Sequence, residues 1–105
     1  MPLMHRLTVQ YFEPADSPAF EAAYRERHLP LVHAVPGVRR VTLSRPRGDE
    51  GTPYLVAELW FDDLASMRSA LAGPEMERAA ADAETYDVAR RTSHTGAVEE
   101  IAAGR

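Results

Sequence analysis

Over residues 54–61 the side chains alternate between two characters. Leu55, Ala57, Leu59 and Phe61 fall on one face of an extended chain, and Tyr54, Val56, Glu58 and Trp60 on the other. Successive side chains of a pleated strand point to opposite faces, so a period of two specifies a strand. The first face is wholly apolar and has to be covered. The second carries a large aromatic and an acid side by side. A chain built around this strand needs a sheet with one dry face and one mixed face.

The rest of the chain supplies partners for that strand. Residues 3–12 read as a first strand, with Leu7, Val9 and Tyr11 alternating against Arg6, Thr8 and Gln10. A Pro-containing turn then leads to a helix that Ser17 can cap. Pro18 suits its first position, where a missing N–H costs nothing. Phe20, Ala23, Tyr24, Arg27 and His28 recur at helical spacing. Pro30 lacks an N–H and is expected to kink or end this helix at about His28–Leu29. Pro36-Gly37 marks a turn into a second strand over residues 38–45, and residues 46–53 form a polar loop. After the strand of residues 54–61, Asp62-Asp63 caps a helix carrying Leu64, Met67 and Leu71. Gly73 ends it, and Pro74 opens a third helix reaching about Tyr86, with Met76, Ala79, Ala80 and Ala83 as a small-residue stripe. Residues 94–101 read as a fourth strand. The order β-α-β-β-α-(α)-β is the split βαβ of ferredoxin-like α+β domains, a four-stranded antiparallel sheet with helices on one face.

Composition narrows the functional classes. The 105 residues suit one domain over residues 1–105. Twelve basic against sixteen acidic residues give a net charge of −4, and no basic run exceeds two residues. Phosphate neutralisation needs a basic face, so nucleic acid is not an expected partner. Arg39-Arg40 and Arg90-Arg91 read as solvated pairs. The absence of cysteine excludes disulfides, thiolate nucleophiles and Cys-ligated metals. No apolar run approaches the roughly 20 residues that cross a bilayer, and the N-terminus lacks a signal-peptide pattern. A cytoplasmic protein without a membrane partner is the expectation. His28 and His33, five residues apart with Pro30 between them, do not form a metal pair. No glycine-rich turn opens a helix that would bind a dinucleotide. No cofactor or metal is expected.

The mixed sheet face has no helix of its own chain to cover it. It carries Tyr54, Val56 and Trp60 beside Thr8, Gln10, Thr42 and Glu58. An exposed patch with a large aromatic tends to be an interaction surface. A two-fold homodimer packing sheet against sheet would bury it and enclose a space with a few placed polar groups, suited to a small hydrophobic ligand.

Three stretches resemble the EthD family of the dimeric α+β barrel superfamily. Phe20-x3-Tyr24-x3-His28-x-Pro30-Leu31-Val32 is similar to that family's Tyr-x3-His-x-Pro-Leu helix. Residues 53–64, through Glu58-Leu-Trp60-Phe61-Asp62-Asp63-Leu64, are similar to its central strand running into Phe-Asp-Ser-Leu. Ala70-Leu71, with Ala80-Ala81-Asp82 and Tyr86, is similar to its Ala-Leu … Asp … Phe pattern. The resemblance spans nearly the whole chain. It implies a homodimer with one pocket per subunit in the barrel interior. Family members resemble ether-degradation accessory proteins, polyketide cyclases and dehydratases, and cofactor-free oxygenases.

Side-chain chemistry sets the candidates. His28 titrates near neutrality and could pass a proton to or from an enolisable or phenolic substrate; its alternative role is to bond the helix end freed by Pro30. Tyr24, one turn earlier, could orient that ring or simply pack in the core. Glu58, if enclosed, would have its pKa raised and become an acid or base; otherwise it makes a salt bridge to an arginine such as Arg40. Trp60 could wall a flat substrate or pack in a dimer core. Gln10 and Thr8 could line the same space, and Asp82 and His94 could reach its edge. Together these residues point to a cofactor-free enzyme or accessory catalyst of oxidation, cyclisation or dehydration on a hydrophobic cyclic or aromatic molecule. The alternative is a non-enzymatic binder or carrier using the same pocket.

Overall fold

The computed structural model describes residues 3–104. Strands β1 (Met4–Pro14), β2 (Arg40–Ser44), β3 (Leu55–Phe61) and β4 (Val88–Val98) form one antiparallel sheet in the order β2-β3-β1-β4. Helices α1 (Ser17–Ala23), α2 (Leu29–His33), α3 (Leu64–Leu71) and α4 (Pro74–Ala83) complete a ferredoxin-like α+β fold. The expected order of elements and the single antiparallel sheet are both present.

The core follows the period-two reading. Leu7, Leu59 and Phe61 pack with Val32, Val35, Met67 and Ala70 at one end of the sheet. Tyr11, Leu55 and Ala57 pack with Phe20, Tyr24 and Ala83 at the other. Here the rings of Tyr11, Phe20 and Tyr24 meet at centroid separations of 5.4–5.8 Å, spacings typical of attractive edge and tilted contacts. Asp63 caps α3 by accepting from the Ser66 N–H at 2.7 Å.

Several boundaries differ from expectation, each for a physical reason. The helix does not end at His28–Leu29. Between α1 and α2 the chain makes a π-helical turn over Tyr24–His28, in which the Leu29 N–H bonds to the Tyr24 carbonyl. Pro30 then sits in the first turn of α2, where its missing N–H and its ring are tolerated. Asp16, not Ser17, caps α1, accepting from the Ala19 N–H at 3.0 Å. β2 is shorter than read, and α4 stops at Ala83. β4 begins at Val88, six residues before the expected start, because it is an edge strand defined by its ladder to β1 and not by buried alternation.

Candidate active site

The π turn is what aims the site. By widening one turn it carries Tyr24 and His28 onto the side of the helix facing the sheet, and their rings lie 4.8 Å apart. α4 approaches the same region with alanines. The short side chains of Ala79, Ala80 and Ala83 cannot fill the space beneath them. A cavity of about 390 Å³ results, roofed by α4 and the π turn and floored by Leu7, Val9 and Tyr11 of β1. Arg91, Ser93 and Thr95 of β4 form its rim. Its size falls in the range of small-molecule sites, about 300–1,000 Å³. A larger depression of about 880 Å³ lies under the 46–53 loop. That groove is walled by loop residues and exposed charges and contains no buried titratable pair. The buried residues His28, Tyr11 and Tyr24 line the smaller cavity.

At its inner end His28 Nδ1 lies 3.0 Å from Asp82 Oδ2, with only 7% and 9% of the two side chains exposed. Asp82 also accepts from the Tyr86 hydroxyl at 2.7 Å and from Arg27 Nε. Arg27 in turn donates to Thr85 Oγ1 at 3.0 Å. Burial pushes the Asp82 carboxyl up, but the hydrogen bonds from Tyr86, Arg27 and His28 outweigh it and hold the group below the ordinary carboxylate range. For His28 the balance runs the other way. Burial lowers its pKa, and the Asp82 hydrogen bond recovers only part of the loss. The pair is therefore an aspartate and a neutral imidazole. An ionised carboxylate can only accept, so the proton sits on Nδ1 and the lone pair on Nε2. Nε2 has no hydrogen-bond partner among the described residues, and His28 forms part of the cavity wall.

Two phenols share that wall. Burial pushes the Tyr11 hydroxyl up to about 12 and raises Tyr24 further, so both are donors at neutral pH. Neither hydroxyl is engaged by a side chain among the described residues. An acceptor, two donors and an apolar floor thus converge on one space. Such a set can remove a proton from a substrate and stabilise the oxygen that takes up the charge.

The predicted residues divide between the two sides of the sheet. His28, Tyr24 and Asp82 come together in the cavity. Glu58, Trp60, Gln10 and Thr8 do not join them, because their even-numbered positions put them on the opposite, helix-free face. The expectation of one constellation with Glu58 or Trp60 beside His28 is corrected by this parity: a helix that packs on the odd-numbered face cannot deliver a side chain to the even-numbered one. On the bare face Glu58 pairs with Arg6 at 3.1 Å and accepts from Thr42 at 3.2 Å. Trp60 lies between Arg40 and Arg6, at 4.1 and 5.3 Å from its ring centre. Gln10 accepts from Thr92 at 3.0 Å. His94 borders the cavity rim, but its register opposite Thr8 directs its side chain to the bare face. Tyr11, Tyr86 and Arg91 were not anticipated as site residues. Tyr86 was signalled by its i,i+4 spacing from Asp82, and Tyr11 by sharing β1's buried face. Among the described residues no cluster of three or more His, Asp or Glu is placed to hold a metal ion.

Fold and cavity together define a small ferredoxin-like α+β protein with a small-molecule-sized site under its helices. The chain belongs to the EthD family: residues 13–86 match the model of the EthD domain. It is 37% identical over 86 residues to an uncharacterised 11.0 kDa protein of Rhodococcus erythropolis from the thcB–thcC intergenic region, covering 79% of this chain and 84% of that protein. Among solved structures it is similar to an EthD family protein from Bacillus halodurans, with a TM-score of 0.81 and 29% identity over 94% of this chain and all of the other. At 21% identity and a TM-score of 0.66 it shares its fold with SnoaB, a cofactor-independent oxygenase from Streptomyces nogalater, over 93% and 95% of the two chains. A ferredoxin-like protein from Bacteroides fragilis, described as dimeric, shares the fold at 14% identity and a TM-score of 0.64, over 90% and 96%. The family match and these neighbours fit a small-molecule protein. Among the described residues no helix is long and apolar enough to cross a membrane.

Proposed function

We propose that this protein is a cofactor-free proton-transfer catalyst acting on a hydrophobic cyclic or aromatic molecule in the cavity beneath its helices. The observation that carries the reading is the buried Asp82–His28 pair, whose histidine lines the cavity and whose Nε2 has no partner among the described residues. Nε2 takes a proton from an acidic C–H or from a phenolic O–H of the substrate. The imidazole becomes an imidazolium held by Asp82, and the electron pair stays on the substrate as an enolate or phenolate. Tyr24, or Tyr11, donates a hydrogen bond to that oxygen. The proton is returned from Nε2 when the product anion is quenched. Cyclisation and dehydration can each begin with this step, as can oxidation when dioxygen takes the electrons from the substrate anion, and SnoaB, described as a cofactor-independent oxygenase, offers a precedent on the same fold.

We further propose a homodimer formed through the bare sheet face. That face presents Trp60, Val56 and Thr8 with no helix of this chain packed on it, and a ferredoxin-like protein of the same fold is described as dimeric. In this reading the dimer face and the catalytic cavity are separate.

The test is incubation with a panel of phenolic and polyketide-like compounds, followed by mass spectrometry. Conversion by the wild type and its loss in His28→Gln support the reading. Unchanged turnover in that variant removes His28 from the mechanism. Saturable binding without conversion leaves the cavity as a carrier site.

A further inference from the structure

The cavity wall has an unequal charge balance that the proton-transfer step does not use. It contains one permanent cation, Arg91, and no carboxylate. Arg91 stands directly opposite Tyr11 in the β1–β4 ladder, so its side chain shares the cavity face of the sheet. Other arginines have partners: Arg6 pairs with Glu58, Arg39 with Asp62, Arg45 with Glu21 and Arg27 with Asp82. Arg90, its neighbour of opposite parity, lies over the Phe12 ring at 4.2 Å on the other face. Arg91 makes no salt bridge among the described residues. Asp82, behind His28, already has both oxygens engaged. The charge of Arg91 nevertheless reaches inward, since it opposes protonation at both Tyr11 and His28.

An uncommitted guanidinium at the mouth of an apolar cavity is matched by an anion held by two parallel N–H donors. We propose that Arg91 is a specificity-determining residue that binds an ionised carboxylate of the ligand, with Ser93 and Thr95 as flanking hydroxyls on the same strand face. The ligand class is then a flat apolar acid whose carboxylate stays at the β4 rim while its ring system enters between α4 and β1. One cation on a wall with no other permanently charged side chain suits one carboxylate and disfavours polyanions such as diphosphates, whose remaining charge would be desolvated without compensation. This rests on the cavity being the binding site, as proposed above.

A matched pair of probes tests it: 1-naphthoate and 1-naphthamide, which share size and ring system and differ in charge. Affinities are measured by calorimetry at low and at physiological salt, on the wild type, Arg91→Gln, Arg91→Lys and the cavity-filling Ala79→Phe. The Arg91 side chain is exposed and makes no salt bridge among the described residues, so its replacement should leave the fold intact. The expected result is that the wild type prefers naphthoate by about tenfold or more and that Ala79→Phe weakens both probes. Arg91→Gln abolishes the preference while retaining naphthamide affinity, and Arg91→Lys keeps part of it. Equal affinities in the wild type, or a preference that survives Arg91→Gln, overturn the role of Arg91 while leaving the cavity as the site. Failure of both probes to bind, or binding indifferent to Ala79→Phe, overturns the cavity reading and this inference with it.

Discussion

Replacing Asp82 by Asn removes one charge and keeps the shape, so it isolates what the carboxylate contributes. Three interactions are touched. The bond to His28 is buried on both sides at 3.0 Å and charge-assisted, a class worth about 1.5–3 kcal/mol. The Tyr86 hydroxyl loses its 2.7 Å acceptor but has the Ala23 carbonyl at 3.3 Å to turn to, which limits its loss to about 1 kcal/mol or less. Arg27 is solvent-exposed, and screening makes its share small. The variant should therefore lose about 2–4 kcal/mol, dominated by the histidine bond. For a domain of this size that corresponds to a fall of roughly 10–20 °C in Tm. Differential scanning calorimetry at pH 7.5 and fixed protein concentration is the assay, with Arg27→Ala alongside. Arg27→Ala should move Tm by only about 5 °C or less. If Asp82→Asn melts within that margin too, or Arg27→Ala costs as much as Asp82→Asn, the buried imidazole–carboxylate bond is not what organises this site.

Acid should act through His28 in a defined window. Its folded pKa lies below 6.5 because burial outweighs the Asp82 bond, so as pH falls the unfolded chain takes up this proton first. The contribution of His28 is complete above pH 6.5, declines below it and is gone once pH has passed the lowered folded value. Tm measured downward from pH 6.5 should fall, and His28→Gln should remove that part of the slope; parallel curves would contradict this. Tyr24→Phe removes a hydroxyl with no side-chain partner, so stability should change by less than about 1 kcal/mol while turnover of a panel substrate drops about tenfold or more. A large loss of stability with full turnover would make the hydroxyl structural. Trp60→Ala should weaken a dimer by about 2 kcal/mol or more, roughly 30-fold in Kd, because tryptophan anchors dominate interfaces. Sedimentation equilibrium showing a monomeric wild type, or an unaffected dimer, would remove the bare face as the contact.

Much of the fold was readable locally. The alternation of β3 and β1 set which side chains face the helices, and Leu7, Leu59 and Phe61 occupy the core as that pattern requires. The site was less legible. His28 and Tyr24 stood out, but the side of the sheet they serve depends on the π turn, an insertion in the hydrogen-bond ladder that side-chain periodicity does not signal. Pro30 suggested a break, and the chain instead absorbed it by shifting the ladder one residue. The Asp82 partnership joins elements 54 residues apart in sequence, so no local pattern announced it. Beside the alanine stripe, Asp82 stood out only as a residue able to reach a pocket edge, with no partner indicated. Arg91 was hidden in a dibasic pair on an edge strand whose polar residues show no alternation, and only the ladder to β1 separates its face from that of Arg90.

The account stands on the location of the guest. A crystal structure of the protein bound to an aromatic compound from the panel would test it most directly. Density between α4 and β1, with a substrate atom within hydrogen-bond distance of His28 Nε2, is the predicted result. Density on the opposite face of the sheet, against Trp60 and Glu58 and away from His28, would contradict it.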